Sequence, residues 1–251
     1  MNTEDKAENG LEGNEPRPDY AMSLEHLSAR ENGADKRTRT RARLKLATFR
    51  IMRKDGIGDL KVTQVTHAAG VAAGTFYTHF ENLDDLVREV VGEFFNMEAN
   101  PALPLAPGAD PFDAMKNGFL GIVALFRQNI MIFRSLVELR GKEPLFRKIW
   151  TEFDNRWARQ FAAIVTAQPG REGTDPRLAI MLGHAALAMV DEVLMRIFFD
   201  RYEDLVAFGD DDETIAELLT VLRYRLLFAA DPPAEKISLV ESLIDPGDLL
   251  A

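Results

Sequence analysis

The chain has 251 residues, of which 46% are hydrophobic, so it is long enough to bury one large core or two smaller ones. It contains no cysteine, which excludes disulfide bonds, thiolate metal ligands and a cysteine nucleophile. The formal net charge of -10 disfavours indiscriminate binding to nucleic acid, because the field of the whole molecule repels phosphate.

Residues 1–35 are polar, rich in Glu, Asn, Gly and Pro, and without sustained periodicity, which predicts a disordered arm. This segment has no basic patch followed by an apolar run, as an export signal has, so we expect a cytoplasmic protein. The longest apolar stretch, 178–199, is interrupted by a histidine, two acids and an arginine. That pattern predicts a buried helix of a soluble protein and no membrane span.

A run of basic residues without any acid covers 36–54. Its later part, 40–54, has an apolar residue every three to four positions and arginines on the other faces, which predicts a helix that packs by one side. Asp55-Gly56 ends this helix. The run by itself is compatible with a solvated helix face or with a nucleic-acid contact.

Two short helices are predicted next. Residues 62–69 place apolar side chains at the spacing of a buried helix face, and Gly70 supplies the left-handed conformation of a tight turn. Residues 72–80 carry Phe76 and Phe80 one turn apart on the inner side and small or hydrogen-bonding residues on the other. Such a pair can enter the major groove of DNA, although the same packing also occurs in proteins that do not bind DNA.

The rest of the chain is predicted to be helical. A wide apolar stripe from Leu83 to Phe95 indicates a linking helix over 83–98, and a Pro- and Gly-rich cluster at 100–111 then punctuates the chain. No later run shows the alternation of a half-buried strand. Further helices are predicted at 111–128, 130–140, 144–168, 176–200 and 212–229, with a last amphipathic segment at 234–244.

The stretch VTHAAGVAAGTFYTHF, residues 65–80, resembles the signature of the TetR family, in which an AGV turn leads to a GT(L/F)YxHF recognition helix. The resemblance implies an all-α fold, with an N-terminal three-helix DNA-binding bundle that contains the helix-turn-helix. A linking helix joins this bundle to a larger C-terminal helical domain for ligand binding and dimerisation. The predicted parts are a disordered arm at 1–35, the helix-turn-helix domain at 36–82, the ligand-binding and dimerisation domain at 83–230, and a tail or short docking helix at 231–251.

Carried over position by position, the resemblance implies which residues contact DNA. The side chains that face the groove are Ala73, Gly74, Thr75 and Thr78. Tyr77 and His79 contact phosphates, although a partly buried aromatic ring and a helix-end packing residue are the alternative interpretations. The remaining candidates on or before these helices are Arg39, Arg41, Arg43, Lys61, Thr63, Gln64 and Ala72.

The chain departs from the family pattern at several phosphate-contacting positions. Lys61 stands where a Ser or Thr usually caps the second helix, Ala72 replaces the usual serine that opens the third, and Leu83 replaces a lysine. Lysine cannot accept a hydrogen bond from the helix amides. We hypothesise that Lys61 and the arginines named above compensate, because each neutralised phosphate adds a salt-dependent term to the affinity.

Helices in 111–168 carry many large apolar side chains, which form either a plain core or a small-molecule cavity. Trp150, Phe153, Asp154 and Trp157 share one helical face, and a carboxylate among large rings favours a cavity. The predicted ligand-binding residues are Met115, Phe119, Ile122, Phe126, Trp150, Phe153, Asp154, Trp157, Met189, Asp191, Glu192 and Met195. Of the acids, Asp191 and Glu192 either meet a donor on the ligand or pair with Arg196 or another arginine.

The implied partners are operator DNA, a small apolar ligand acting as inducer, and a second copy bound through helices 176–200 and 212–229. No cofactor, metal or membrane partner is expected. We therefore predict a repressor that binds a near-palindromic operator as a dimer and is released by its ligand. A ligand-insensitive DNA-binding protein and a transcriptional activator of the same fold remain the alternatives. An enzyme is disfavoured because HExxH, GxSxG and P-loop motifs are absent from the sequence.

Overall fold

A computed structural model describes residues 20–29, 33–97, 110–171 and 173–240. Within these ranges the structure is helical and contains no strand, which confirms the predicted fold class. The helices are Tyr20–Ser28 (α1), Lys36–Asp55 (α2), Val62–Ala69 (α3), Ala73–Phe76 (α4), Leu83–Met97 (α5), Pro111–Gln128 (α6), Ile130–Arg140 (α7), Pro144–Thr166 (α8), Pro176–Phe198 (α9) and Asp212–Phe228 (α10). Short 3-10 helices occur at Val206–Asp210 and Ala234–Lys236.

Local sequence accounts for the sharp beginnings of two long helices. Asp110 accepts a hydrogen bond from the backbone N–H of Asp113 at 3.0 Å, and Asp175 accepts one from the N–H of Arg177 at 2.8 Å. Each acid is followed by a proline in the first helical turn, where the missing N–H has no helical partner to lose. The predicted starts of α6 and α9 are therefore confirmed.

Residues 20–28 form helix α1, so the prediction of a disordered arm is wrong for this segment. The ring of Tyr20 is buried and meets the ring of Phe49 of α2 edge-on, with their centroids 5.1 Å apart. Its hydroxyl donates to Glu93 of α5 at 2.8 Å. Burial of this ring offsets the entropy of ordering a helix inside an otherwise polar segment. Residues 1–19 of the predicted arm lie outside the described residues.

Helix α5 connects the two ends of the molecule through adjacent aromatic residues. The Phe94 ring lies 5.4 Å from the Phe49 ring of α2, centroid to centroid. The Phe95 ring lies 4.4 Å from Phe153 of α8, and both rings approach Phe133 of α7, at 6.1 Å from Phe94 and 6.0 Å from Phe95. These buried side chains belong to one cluster that extends from α1 to α10. Helix α5 therefore packs against α2 and also against α7 and α8. A movement of α5 would change the packing in both places.

Helix α9 packs closely on α8 at Gly183. A Cβ atom on Gly183 would lie 2.5 Å from the carbonyl oxygen of Ala158, so only glycine allows this approach. Among the described residues, α9 is the one helix that is by itself long and apolar enough to cross a membrane. Helices α6 and α7 would qualify together, but they are bent by 81°. One face of α9 thus packs against α8, whereas the face that carries Leu178 and Met181 is exposed.

Of the two predicted alternatives for the segment after α10, the structure favours a tail over a docking helix within the described residues, which end at 240. Only Ala234–Lys236 is helical there, as a single 3-10 turn. The backbone N–H groups of 238–240 donate to the buried Glu217 carboxylate at 2.6 to 3.1 Å. Burial alone raises the pKa of Glu217, but the bonds from Lys116 and from this backbone lower it to about 2. A tertiary acceptor thus replaces the helical hydrogen bonds that periodicity had predicted.

Candidate nucleic-acid interface and ligand cavity

Helices α3 and α4 are joined by the predicted tight turn. Gly70 adopts a left-handed conformation with φ 63°, and the N–H of Val71 donates to the Thr66 carbonyl at 3.0 Å. The second helix is shorter than the predicted 72–80. After Ala73–Phe76 the chain continues to His79 in turns with hydrogen bonds between residues three apart.

Side chains of this second helix divide sharply between core and surface. Phe76 and Phe80 are 0% and 2% exposed, whereas Tyr77 is 63% exposed. The exposed surface around Tyr77 is formed by small residues, which let another backbone approach closely. Its fully exposed members are Ala72, Ala73, Gly74 and Thr78, with Thr75 partly buried beside them.

Helix α3 begins with an exposed Lys61 whose side chain is not a cap. The backbone N–H of Lys61 instead donates to Oε1 of Gln64 at 2.8 Å. An ammonium group carries no acceptor, so the Lys61 side chain remains available to an external anion. Thr63 and Gln64 are exposed on the same helix.

Arg41 and Arg43 both form hydrogen bonds within the protein, although Arg43 is exposed. Arg41 forms an ion pair with Glu89 of α5 and donates to the carbonyl of His79. Arg43 donates to the Ala69 carbonyl at the end of α3, at 2.6 Å. These bonds fasten the helix-turn-helix to α2 and α5, because they join three helices through groups that need partners when partly buried. The internal ion pair of Arg41 argues against its part in the compensation hypothesis, whereas the phosphate contact of the exposed Arg43 stays a prediction.

Lys45 completes this internal layer of charge. It is 8% exposed, and its Nζ lies 3.2 Å from Glu89 and 2.8 Å from Glu93. Burial raises the pKa of Glu89, but hydrogen bonds from Arg41 and Lys45 more than offset this and lower it. The basic run of α2 is thus neutralised on the face that meets α5. Arg39 is partly buried at the start of the run and donates to the Ala34 carbonyl.

The His79 ring packs partly against the protein and is partly accessible at the surface. It is partly buried, and its Nδ1 atom has no hydrogen-bond partner among the described residues. Burial, followed by the positive charges of Arg37 and Arg41, lowers the pKa of His79. The ring is therefore neutral at physiological pH and brings no charge to a phosphate.

A narrow cavity of about 40 Å³ lies in the larger lobe. Helices α5 to α10 each contribute at least one side chain to its wall, and two of the twelve lining residues are charged. The lining residues are Phe95, Ile122, Leu125, Phe126, Phe133, Trp150, Phe153, Trp157, Leu187, Val190, Asp191 and Arg223. This wall has the apolar character of a small-molecule site.

A wider groove of about 670 Å³ adjoins the cavity through Trp150, Leu187 and Asp191, which line both. Three residues predicted to bind ligand line the groove and not the cavity: Asp154, Glu192 and Met195. The cavity therefore has a polar side that opens toward solvent.

The two neighbouring acids of α9 have different roles. Glu192 is exposed and pairs with Arg196 at 2.8 Å, which confirms the ion-pair interpretation for this residue. Asp191 is partly buried, and burial, followed by the charge of Asp154, raises its pKa to about 7 while Arg140 opposes the shift. Near neutral pH, Asp191 is therefore a mixture of a neutral donor and a carboxylate.

The segment that contains the helix-turn-helix has known counterparts. Residues 46–90 match the profile of the bacterial regulatory proteins of the tetR family. In this segment the chain is similar to regulators of the TetR family. Members of this family are DNA-binding transcriptional regulators and not enzymes.

Two curated proteins are similar to parts of this chain. An uncharacterized HTH-type transcriptional regulator of Haemophilus influenzae is 37% identical over 51 residues, which are 20% of this chain and 27% of that protein. The HTH-type transcriptional regulator EthR of Mycolicibacterium smegmatis is 24% identical over 153 residues, 57% of this chain and 65% of EthR. The chain thus matches about a quarter and somewhat under two thirds of the lengths of these relatives.

Solved structures show that the TetR fold extends over most of the chain. A transcriptional regulator from Rhodococcus sp. Rha1 has a TM-score of 0.57 at 13% identity, covering 74% of this chain and 96% of that one. A TetR-family regulator from Mesorhizobium loti has a TM-score of 0.57 at 15% identity, covering 77% and 98%. At these identities the similarity concerns the fold alone.

The structure departs from the predicted ligand site at three residues. Met115 packs in a separate cluster with Phe161 and Leu227. Phe119 lies in the core beneath Arg223, and Met189 packs against the main core outside the cavity wall. The apolar side chains of these three residues correctly predicted that they pack inside the protein. They did not predict whether each one lines the cavity.

Sequence reasoning missed several cavity residues: Phe95, Leu125, Phe133, Leu187, Val190 and Arg223. Most of them belong to apolar stripes that resemble any buried helix face. The signal that was available is Arg223, an arginine between the apolar Leu222 and Tyr224 in the otherwise apolar C-terminal half of α10, with Arg225 as the other cation there.

Proposed function

We propose that this chain is a cytoplasmic transcriptional repressor of the TetR family that holds a near-palindromic operator as a homodimer and releases it when a small molecule enters the cavity. The observation that carries the proposal is the exposed face of α4, where Tyr77 is 63% exposed between two buried phenylalanines. An exposed ring with a hydroxyl, flanked by small residues, suits close approach to a major groove and its phosphates.

The contacts in this proposal are divided by chemistry. Small and hydroxyl side chains read base edges, namely Ala73, Gly74, Thr75 and Thr78. Longer polar groups hold phosphates and set the register, namely Arg39, Lys61, Thr63, Gln64 and Tyr77. The neutral His79 and the backbone of Ala72 take supporting positions at the two ends of α4.

Fluorescence anisotropy on DNA from upstream of the chain's own gene tests this proposal. Tyr77→Ala is expected to weaken binding about tenfold or more, because it removes a phosphate hydrogen bond together with its ring. Tyr202→Ala is the matched control, since Tyr202 is a 47% exposed tyrosine of the other lobe. If the wild type binds this DNA at low salt no better than unrelated DNA of equal length, the proposal fails.

The salt dependence of binding separates external from internal basic residues. Lys61→Gln is expected to reduce the slope of log affinity against log salt by about 0.9, the effect of one phosphate contact. Arg41→Gln should leave the slope unchanged, because Arg41 is paired with Glu89. A flatter slope for Arg41→Gln would contradict this division of roles.

The exposed face of α9 supports homodimerisation. Leu178 and Met181 are 56% and 63% exposed, and Ala185 and Ala188 are exposed on the same side of the helix. An apolar helix face of this size favours self-association, with α10 beside it in the interface. In sedimentation velocity, Met181→Glu is expected to shift a dimeric wild type to monomer, and the monomer is expected to lose operator binding. A monomeric wild type would refute this part.

Two helices connect the cavity to the helix-turn-helix. Phe95 of α5 and Phe133 of α7 line the cavity, and Ser135 of α7 accepts a buried hydrogen bond from the N–H of Ile57 at 3.0 Å. A ligand that displaces either ring therefore favours one orientation of the DNA-binding helices, with a coupling of about 1–3 kcal/mol. Trp150→Ala should weaken ligand-induced release and leave operator affinity near normal. Loss of operator binding would show that Trp150 is structural.

A promoter fusion decides between repression and activation. Deleting the gene is expected to raise expression from the adjacent promoter, and reduced expression would indicate an activator of the same fold.

A further inference from the structure

Arg223 is a buried cation without an anionic partner among the described residues. It lies on α10, is 5% exposed and lines the cavity. Its Nε atom is buried and has no hydrogen-bond acceptor in this part of the chain. The guanidinium carbon lies 4.2 Å from the centroid of the Phe119 ring.

The surroundings of Arg223 satisfy its charge only in part. Burial lowers the pKa of Arg223 to about 10, which leaves the group protonated at neutral pH. The contact with the Phe119 ring compensates for some of the lost hydration. Asp191 lines the same cavity but forms no ion pair with Arg223, and its electrostatic neighbours are Asp154 and Arg140. Packing alone would therefore favour an apolar side chain of similar length.

We propose that Arg223 binds the carboxylate of an amphiphilic organic acid whose apolar body lies among the aromatic rings of the cavity. This assignment rests on the proposed function, because the acid is the ligand that releases DNA. A guanidinium presents a planar fork of N–H donors that matches both oxygens of a carboxylate. Apart from Arg223 and Asp191, the wall is apolar, so the remainder of the acid is buried without unsatisfied polar groups.

A carboxylate suits this site better than a phosphate or an amine. A phosphate dianion needs more donors than one guanidinium provides, and ionised Asp191 repels its second charge. An amine brings a second cation beside Arg223 and leaves the guanidinium unpaired. A carboxylate with a single negative charge neutralises Arg223 and adds no second charge that Asp191 would repel.

Calorimetric titration of the full chain with medium- and long-chain carboxylic acids, each beside its methyl ester, tests the proposal. The wild type is expected to bind the acid at least about tenfold tighter than the ester, the effect of one charge-assisted hydrogen bond. Arg223→Met should lose this preference while binding the ester as well as the wild type does. Arg223→Lys should retain part of it, because lysine keeps the charge and loses the fork.

Two controls separate recognition from folding. Arg225→Met, two residues further along α10, removes an arginine that pairs with Asp231 and should leave the acid preference intact. The thermal midpoint of ligand-free Arg223→Met should equal or exceed that of the wild type, because an unpaired buried charge has been removed. A fall in the midpoint would indicate a structural role for Arg223.

The proposal is overturned if the wild type binds acid and ester with equal affinity. It is also overturned if Arg223→Met still prefers the acid, or if the wild type binds an alkyl phosphate of the same length more tightly than the acid. If no acid or ester binds while the operator is bound normally, the ligand assignment fails and the proposed function stands. If the wild type binds acids through Arg223 but ignores the operator, the proposed function fails and the site remains.

Discussion

Replacing Asp191 by asparagine probes the electrostatics of the cavity. Burial and the nearby Asp154 raise the pKa of Asp191 from 3.8 to about 7, with Arg140 opposing. The folded chain therefore holds this proton more tightly than the unfolded chain. As a result, the contribution of Asp191 to the free energy of unfolding falls as pH rises through the range from 3.8 to about 7 and is constant above it. Asparagine does not titrate. The free energy of unfolding of Asp191→Asn should therefore increase relative to that of the wild type as pH rises over that range.

The size of the gain follows from the same two values. A rise from 3.8 to about 7 corresponds to about 4 kcal/mol of lost stability once the group is fully ionised. Between about pH 5 and about pH 8 the expected change is smaller, about 2–3 kcal/mol. Water that enters from the adjoining groove reduces it further, so about 2 kcal/mol is the quantity to detect.

Urea denaturation followed by circular dichroism at several pH values measures this gain. The matched control is Glu192→Gln, because Glu192 is exposed and ion-paired with Arg196 in the same turn of α9. Its effect should stay within about 0.5 kcal/mol at every pH. If the difference between Asp191→Asn and the wild type is the same at the two ends of the pH range, the reasoning about burial is refuted.

Other substitutions test the packing and the buried polar groups. Glu217→Gln should lower the free energy of unfolding by about 2–3 kcal/mol at neutral pH. In an acid titration, this difference from the wild type should disappear as pH falls from 4.5 to about 2, because the wild-type carboxylate is then also protonated. Gly183→Ala places a Cβ atom 2.5 Å from the carbonyl oxygen of Ala158, so thermal unfolding should reveal a loss of about 1–3 kcal/mol. Ser135→Ala leaves the buried N–H of Ile57 without its acceptor at 3.0 Å, and urea denaturation should show a loss of about 1–3 kcal/mol.

Each of these substitutions has a contrasting control or a clear negative outcome. Glu213→Gln removes an exposed acid that also contacts Lys116, so it should have little effect on stability. Gly121→Ala, in α6, introduces a Cβ atom with nothing within 4 Å and should stabilise the helix slightly. Unchanged stability of Ser135→Ala would mean that the contact between α7 and the Gly56 turn is not a tight one.

Most helices were predictable because their signals are local. The capping acids before α6 and α9 act within three residues, and the apolar periodicity of α5 is a property of one segment. Helix α1 was missed because its stability comes from Tyr20 packing on Phe49 and Glu93, which are distant in sequence. A tail and a docking helix stayed alternatives for the end of the chain for the same reason, since Glu217 accepts its backbone hydrogen bonds.

The two candidate sites differ in how much the sequence reveals. The helix-turn-helix is one continuous segment, so a motif is sufficient to find Tyr77 and its small neighbours. The cavity is assembled from six helices, and periodicity identifies only faces, such as that of Trp150, Phe153 and Trp157. Whether Phe133 or Arg223 borders the same space depends on how these helices pack, which no local pattern contains.

The charge layer between α2 and α5 has a consequence for DNA recognition. With Arg41 and Lys45 neutralised by Glu89 and Glu93, and with a net charge of -10, a single subunit offers phosphate little long-range attraction. Affinity must then come from short-range contacts of α4 in the groove, and these are doubled by a dimer. The proposed regulator therefore depends on its α9 interface more strongly than a basic DNA-binding protein would. Loss of dimerisation should abolish operator binding and not merely weaken its salt-dependent part.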